Sequence, residues 1–296
     1  MKNTILIIAL SFLTISQVLA TNVAISNSGS QVVLSWPQAG TNDFYLQSAT
    51  NLLAKIAWSN ASDPATNGSN LVVTNQSTST SSFYRLQAWE VLFDGTNTSA
   101  FRSSSSTLFP SNSWYVTNGM LVSKVVANAT NFMTVSTYTN FELRVLWKCA
   151  TNGNSGIFYR YTPQVNSAAP EYQLFDDANV ATSHYSNQQY TYPSNLMAAV
   201  YGIIAPTNKT LVPTGQWNDC RVVVQGYHVT HWLNGNLVVD YQLNNPAYMS
   251  ITNPAYTSFL PQGTNTYISF QNKGTGDDGI TPGVVYFGYM KIRRLP

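Results

Sequence analysis

The chain of 296 residues is long enough for one large domain or two smaller ones. Charged side chains make up 9% of it and aromatic side chains 13%, and Asn, Ser and Thr occur throughout, a balance that favours an all-β fold with polar loops. The formal net charge of +2, without a basic cluster in the sequence, excludes a typical nucleic-acid-binding protein.

Residues 1–20 have the organisation of a secretory signal peptide. Lys2 precedes an apolar run over residues 5–13, and the segment ends in the small residue Ala20. The apolar run is shorter than the roughly 20 residues that a membrane-spanning helix needs. We therefore expect a secreted or periplasmic bacterial protein without a membrane span, whose mature chain begins near Thr21.

Two cysteines, Cys149 and Cys220, both lie in predicted strands. An exported protein permits a disulfide between them, and two buried free thiols are the alternative. The sequence does not show whether the two strands are neighbours, so both possibilities stay open.

Residues 21–88 contain short β-type runs separated by Pro, Gly and Asn, which predicts a small N-terminal β-sandwich. The pattern LSWP…FYLQSATNL…W…FYRL resembles small fibronectin-type-III-like modules of secreted bacterial proteins. Its aromatic residues are better explained by core and rim packing than by a sugar-binding surface. They are Trp36, Tyr45, Trp58 and Tyr84.

A second domain is predicted over residues 89–296. Asn118-Gly119 and Asn234-Gly235 are strong signals for tight β-hairpin turns. Apolar and polar residues alternate over residues 140–149, as in a strand with one buried and one solvated face. No segment has helical periodicity over three turns, so we expect a many-stranded antiparallel sandwich.

Polar and aromatic side chains are concentrated in the stretch NGNSGIFYRYTPQVNSAAPEYQLFDD at residues 152–177. It contains two strand-like runs, at 156–161 and 171–175. Because side chains of a strand alternate between faces, Phe158 and Arg160 should share one side of the first run. Glu171, Gln173 and Phe175 should share one side of the second. A carboxylate, an amide, a guanidinium and aromatic rings on adjoining strands suggest a sugar-binding site.

Ten motifs in order resemble the 3-keto-disaccharide hydrolase family over about 89–296. They are LFDG, WYVTNGMLV, NFELRVLWK, GNSGIFYR, PEYQLFDD, AVYGIIAP, GQWNDCRVVVQG, THWLNG, ISFQNKG and YFGYMKIR. The resemblance implies a concanavalin-A-like, glucanase-type jelly-roll sandwich. It also implies cleavage of glycosides that are oxidised at C3, by hydrolysis or by elimination with later hydration.

This chemistry can proceed with one well-placed base. A ketone at C3 acidifies the proton on C2, so a base can abstract it and the enolate can expel the oxygen on C1. A retaining glycosidase instead needs two carboxyl groups about 5–5.5 Å apart. Glu171 and Asp176 are an odd number of residues apart and point to opposite faces of a regular strand, although a loop could turn Asp176 inward.

Glu171 matches the acidic residue of the family's strand and is the leading candidate for acid/base work or metal binding. Arg160 would stabilise an enolate or neutralise Glu171. His231 is either a further base or a hydrogen-bonded core histidine, and His184 is a weaker candidate. The candidates for substrate binding are Gln173, Gln271, Asn154, Tyr201, Trp232 and Lys273.

The chain departs from its relatives at residues 270–274, where FQNKG replaces the common LQDHG. Asn272 and Lys273 thus stand in place of an Asp-His pair, which leaves the activity open. We expect no cofactor. The alternative is a Ca²⁺ ion held by Asp176 and Asp177 with Asp277 or Asp278. The competing interpretation of these residues is two solvated acidic turns.

Cleavage of 3-keto-glycosides or 3-keto-disaccharides is the function that these observations favour. The alternative is a non-catalytic, lectin-like carbohydrate-binding protein, because sandwiches of this type host both. A third possibility is an interaction protein that binds a cell-surface partner through residues 21–88.

Overall fold

The computed structural model describes residues 4–7, 23–28, 31–38, 44–50, 58–76, 81–163, 169–179, 192–245, 264–275 and 283–296. The chain divides into two compact units. The first comprises residues 1–90 with Pro296, and the second comprises residues 91–295. Among the described residues, no helix is long and apolar enough to cross a membrane.

The first unit contains two four-stranded sheets. Its strands are β1 (Thr4–Ile7), β2 (Ala24–Ser28), β3 (Gln31–Pro37), β4 (Phe44–Ala49), β5 (Ser59–Asn60), β6 (Ala65–Asn67), β7 (Asn70–Gln76) and β8 (Ser81–Ala88). The sheet orders are β1-β8-β4-β5 and β2-β3-β7-β6. Strand β1 lies within the predicted signal peptide and pairs in parallel with β8.

One hydrophobic cluster joins the two sheets of this unit, with Leu34 and Trp36 from one sheet and Leu46 and Tyr84 from the other. This is the small β-sandwich that the spacing of short strands predicts, and its aromatic residues pack as expected. Trp36, Tyr45 and Tyr84 are buried. The resemblance to fibronectin type III modules and the removal of a signal peptide stay predictions.

Thirteen strands are found among the described residues of the second unit. They are β9 (Glu90–Phe93), β10 (Phe101–Arg102), β11 (Trp114–Thr117), β12 (Met120–Ser123), β13 (Phe132–Thr134), β14 (Phe141–Cys149), β15 (Asn154–Tyr161), β16 (Glu171–Phe175), β17 (Asn218–Gln225), β18 (His228–Leu233), β19 (Asn236–Gln242), β20 (Tyr267–Phe270) and β21 (Val285–Arg294). In the part of this unit that the structure describes, short 3-10 helices cover Asp177–Asn179 and Pro193–Asn195.

These strands form two sheets that share one core. The five-stranded sheet has the order β10-β13-β20-β15-β16, and the eight-stranded sheet has the order β11-β12-β21-β14-β17-β18-β19 with β9 beside β21. Phe132 and Phe270 of the first sheet stack on each other, and Phe287 of the second contacts both, with ring centroids 6.0 and 5.4 Å away. The predicted all-β sandwich of two antiparallel sheets is confirmed.

Local sequence signals account for the main strands and turns. In β14, Leu143, Val145 and Trp147 are buried on the core side, as their alternation predicts. The other face is not solvated throughout, because Glu142 on it is also buried. Both residues of Asn118-Gly119 and both of Asn234-Gly235 have positive φ, the conformation that a type I′ hairpin turn requires.

Cys149 and Cys220 are buried free thiols. They lie on adjacent strands, but the register pairs Cys220 with Val145, four residues before Cys149. The disulfide alternative is therefore wrong, and the alternative of two buried thiols is confirmed.

Candidate active site

The five-stranded sheet presents a row of polar side chains on the face that points away from the shared core. On β16, Tyr172 and Leu174 enter the core, so the alternation of side chains sets Glu171 and Gln173 on the other face. Phe175, which the sequence places on the side of Glu171, belongs to the core cluster instead. The register of β16 against β15 sets Glu171 opposite Phe158 and Gln173 opposite Gly156. The two polar side chains of β16 therefore lie together on this outer face.

Gln271 joins the same row from the end of β20. Its backbone N–H donates to the carbonyl of Gly156 at 2.9 Å. Ser155 fixes this junction from the neighbouring position, because its hydroxyl donates to the Gln271 carbonyl at 2.7 Å. Gln173, Gly156 and Gln271 thus lie side by side on three adjacent strands, and Asn154 lies two residues along β15 on the same face. The structure thus brings Glu171, Gln173, Gln271 and Asn154 to one face, whereas the face expected from the sequence also included Arg160.

Gly156 makes room for the carboxylate of Glu171. A Cβ atom added at position 156 would lie 1.7 Å from Glu171 Oε1, so only glycine permits the carboxylate to cross the neighbouring strand. Sequence reasoning missed this residue. An isolated glycine inside an otherwise apolar strand signals such a close approach, and the SGI motif contained that signal.

The surroundings of Glu171 disfavour its charged form. The side chain is 7% exposed, and burial raises its pKa to about 8, partly opposed by the positive charge of Lys273. In the amide orientation that satisfies its neighbours, Gln173 Nε2 donates to the Ser155 carbonyl at 3.1 Å and to Glu171 Oε1 at 3.3 Å. Glu171 can therefore both accept and return a proton near neutral pH.

Lys273 lies in a loop that is held to the rest of the unit by hydrogen bonds of Asn272. The backbone N–H of Asn272 donates to Asn131 Oδ1 at 2.8 Å, and its side-chain amide donates to the carbonyls of Ser113 and Lys124 at 2.8 and 3.3 Å. Asn272 is thus a structural residue in this chain. A cavity of about 260 Å³ borders Lys273 and Gln271.

Arg160 does not share the face of Glu171, and the expectation that it does is wrong. A register shift interrupts the pairing of β15 with β20 between Phe158 and Tyr161, and Arg160 has a φ of 59°. This bulge breaks the alternation of side chains. The Arg160 guanidinium instead donates through Nη2 to the carbonyl of Gly226, in a turn of the eight-stranded sheet, at 2.6 Å.

His231 lies in the core between the two sheets, away from the outer face that carries Glu171. Its Nε2 is 2.8 Å from the hydroxyl of Tyr159 and its Nδ1 is 2.9 Å from the carbonyl oxygen of Ala198. Burial lowers the pKa of His231 to about 4. The alternative of a hydrogen-bonded core histidine describes this residue, and the structure does not bring it to Glu171.

The two proposed aromatic platforms differ in position. Trp232 belongs to the eight-stranded sheet, where Arg221 stacks on its ring at 4.9 Å, so it does not join the candidate site. Tyr201 lies next to Glu171, because its backbone N–H donates to the Glu171 carbonyl at 3.1 Å. The segment before it continues along the edge of β16, with the Ala198 N–H donating to the Gln173 carbonyl at 2.8 Å.

Asp176 accepts hydrogen bonds that join three loops. Thr214 Oγ1 donates to its Oδ1 at 2.6 Å, and Oδ2 accepts from the Asn152 N–H at 3.0 Å and from Asn179 Nδ2 at 2.8 Å. Both oxygens are therefore occupied by donors within the protein, which describes a structural carboxylate.

Asp177 is occupied in the same way, by the Met197 N–H at 2.9 Å on Oδ1 and by the Lys209 ammonium on Oδ2. The structure thus gives no support to the alternative of a calcium site at Asp176 and Asp177. The other residues named for that site, Asp277 and Asp278, lie outside the described residues, as does His184. Within the described part of the chain, no group of three or more His, Cys, Asp or Glu side chains could hold a metal ion.

Known proteins resemble this chain both in fold and in amino-acid sequence. Two crystal structures from Parabacteroides distasonis, both provisionally assigned as glycosyl hydrolases, are similar to this chain with TM-scores of 0.57 and 0.54. Their sequences are 24% and 25% identical to it, and the matches cover 70% and 71% of this chain and 94% and 100% of theirs. These similarities support the sandwich fold.

A curated 3-keto-disaccharide hydrolase from Bacteroides thetaiotaomicron is 30% identical over 120 residues, which are 36% of this chain. The match spans 40% of that relative's own length. Residues 88–293 match the sequence model of the 3-keto-alpha-glucoside-1,2-lyase-like domain, which covers most of the chain and includes every strand of the candidate site. The chain therefore belongs to the family of 3-keto-alpha-glucoside-1,2-lyase-like domains.

Proposed function

We propose that this protein is an enzyme that cleaves the glycosidic bond of 3-keto-glycosides or 3-keto-disaccharides, with Glu171 as the proton-transferring residue. The observation that carries the proposal is a buried carboxyl group with a pKa raised to about 8 on a face of amide side chains. The family membership and the name of the curated hydrolase support the same chemistry.

In the proposed reaction, the Glu171 carboxylate removes the proton from C2 of the oxidised sugar. The electron pair of that bond forms a C2–C3 double bond, and the C3 oxygen becomes an enolate. The enolate then re-forms the C3 carbonyl, a C1–C2 double bond develops, and the glycosidic oxygen leaves C1 and takes up a proton. Water adds to the unsaturated sugar afterwards. Direct attack of water on C1 is the hydrolytic alternative.

A raised pKa suits Glu171 to this step. A base whose pKa lies near the working pH combines a useful population of the charged form with a stronger pull on the proton. The amides of Gln173, Gln271 and Asn154 offer both donors and acceptors, which match sugar hydroxyls and can donate to the enolate oxygen. One titrating carboxyl among neutral amides is what this elimination needs.

The test is release of nitrophenol from a nitrophenyl 3-keto-glucoside by the full chain. We expect turnover by the wild type and a rate lower by a factor of about 10²–10⁴ for Glu171→Gln, because the substitution removes the base. Glu90→Gln is the matched control, since it removes an exposed glutamate from another part of the chain. Incorporation of solvent deuterium at C2 of the sugar would distinguish elimination from direct hydrolysis.

The rival function is carbohydrate binding without cleavage. It is favoured by Asn272 and Lys273, which stand where relatives have an Asp-His pair, and by the structural hydrogen bonds that Asn272 makes. Absence of turnover by the wild type, together with glycan binding that survives Glu171→Gln, would establish the rival and overturn the enzyme.

Export and a cell-surface partner for the first unit belong to the same proposal. The support is the signal-like organisation of residues 1–20 and the separate core of the first unit. Fractionation of expressing bacteria tests export, which recovery of uncleaved protein in the cytoplasm would contradict. Binding to whole cells that is lost when residues 21–88 are deleted would support the partner.

A further inference from the structure

Lys273 is held in a fixed position beside the candidate active site. Asn272 is bonded to three other segments of the unit, and its Oδ1 also accepts from the Gly274 N–H at 2.8 Å. Gly274 has a φ of +58°, and a Cβ atom there would lie 2.4 Å from the carbonyl oxygen of Val126. The loop on both sides of Lys273 therefore has little freedom to move, which lowers the entropy cost of binding a ligand through it.

The cavity beside Lys273 is polar and large enough for part of a saccharide. Its volume of about 260 Å³ far exceeds the roughly 10–15 Å³ that holds one water molecule. The polar side chains that line it are those of Asn128, Asn131, Gln271, Asn272, Lys273 and Thr275. These supply amides, a hydroxyl and one ammonium group. None of the lining residues carries a carboxylate.

Among the described residues, little negative charge compensates Lys273. Its charge acts on Glu171, but that carboxyl group has a pKa of about 8 and is mostly protonated at neutral pH. No salt bridge joins Lys273 to any described residue. An ammonium group on a rigid loop, facing a cavity of neutral hydrogen-bonding groups, is complementary to an anion.

We propose that this cavity binds a carboxylate or sulfate group of the substrate through Lys273, so that the preferred substrates are anionic 3-keto-saccharides. This specificity rests on the proposed function. The neutral side chains Asn128, Asn131 and Thr275 would bind the hydroxyl groups of the same sugar unit.

The test uses a matched set of 3-keto-disaccharides. One is neutral, two carry a uronate carboxylate on one or the other ring, and one carries a sulfate. We expect the wild type to prefer at least one anionic form over the neutral form by about tenfold or more in kcat/KM, the size of one charge-assisted contact. The uronate and sulfate members show which anion the cavity accepts.

Lys273→Gln should bring the ratio of anionic to neutral kcat/KM close to one, mainly through KM for the anionic form. The ratio is the readout because the substitution also changes the charge that acts on Glu171. Lys148→Gln is the matched control, since Lys148 lies on β14 in the other sheet and stacks with Trp217 at 4.7 Å. It removes the same charge and should leave the preference intact.

Three outcomes separate this specificity from the proposed function. Turnover of the neutral form with no anionic preference, or a ratio of anionic to neutral kcat/KM that Lys273→Gln leaves unchanged, would overturn the specificity and leave the function standing. If no substrate is cleaved, calorimetry with the unoxidised uronate disaccharides decides instead. Binding that depends on Lys273 would support the anion site while the proposed function fails, and absence of such binding would overturn both.

Discussion

The two buried glutamates of the second unit, Glu142 and Glu171, lie on different sheets and have different surroundings. Glu142 is 1% exposed on β14, with Arg144 and Arg221 each 2.8 Å from Oε1 and Arg293 2.8 Å from Oε2. Cross-strand pairing produces this cluster, since the register sets Glu142 opposite Arg293. Three guanidinium groups hold this carboxylate in place.

Glu171 is similarly buried but has amides as its neighbours and a single lysine as a source of positive charge. Its carboxyl group crosses Gly156 and accepts a hydrogen bond from Gln173. Burial alone therefore does not mark a functional carboxylate. A carboxylate ringed by arginines stabilises the fold, whereas one that burial leaves undercompensated has a raised pKa and can transfer protons.

The largest effect should come from removing the compensated carboxylate. Glu142→Ala removes the carboxylate that three arginines share and leaves their positive charges unpaired at this position. We therefore expect the free energy of unfolding to fall by about 3–5 kcal/mol. Urea denaturation of the full chain measures it. Glu171→Gln is the comparison and should cost less than about 1 kcal/mol, because its site holds no arginine cluster. Equal losses for the two variants would break the distinction between the two glutamates.

A smaller effect should follow from Gly156→Ala, which tests the position of the Glu171 carboxylate. The added methyl group would overlap Oε1, so the carboxyl group must move. We expect kcat/KM for a 3-keto-glycoside to fall by about a hundredfold, because displacement of a catalytic group by about 1 Å has costs of that order.

A double-mutant cycle with Glu171→Ala provides the control for Gly156→Ala. With the carboxyl group absent, the methyl group has space, so adding Gly156→Ala to Glu171→Ala should change neither stability nor residual activity. Additive losses would show that Gly156 serves β15 itself rather than Glu171.

The grouping of polar side chains was accessible from the sequence because a regular strand has a period of two. That period correctly set Glu171 and Gln173 on one face, and it set Phe141 and Trp147 in the core. Hairpin turns were equally accessible, since Asn-Gly pairs such as Asn118-Gly119 adopt positive φ with little strain.

The errors arose where long-range structure decides. The bulge at Arg160 turns its side chain toward Gly226, and no local residue pattern announces it. The role of Gly156 depends on the register between β15 and β16, which the sequence of either strand alone does not define. For His231 the sequence already offered the core alternative, but the hydrogen bonds that hold it there come from Tyr159 and Ala198, which are distant in sequence.

The smallest expected effect is a change in kcat/KM of about tenfold per pH unit. Its pH dependence distinguishes Glu171 from His231 as the base. Only the deprotonated carboxylate removes a proton, so kcat/KM should rise about tenfold per unit below pH 8 and level off above it. Lys273→Gln should move this limb to higher pH, because the positive charge of Lys273 lowers the pKa of Glu171. Rates measured from pH 5 to 10 give the profile.

His231 makes the opposite prediction in the same experiment. Its pKa of about 4 leaves it neutral from pH 5 upward, so a reaction that used it as the base would be independent of pH over that range. His231→Gln should therefore leave the limb near pH 8 unchanged. The substitution should instead change how stability depends on pH. With His231 present, the folded protein loses stability as the pH falls from 6.5 toward 4, because the unfolded chain binds a proton at this histidine more readily than the folded chain does. A flat activity profile above pH 5 would show that Glu171 is not the base. It would also show that a buried carboxyl group with a raised pKa does not mark the active site of this protein.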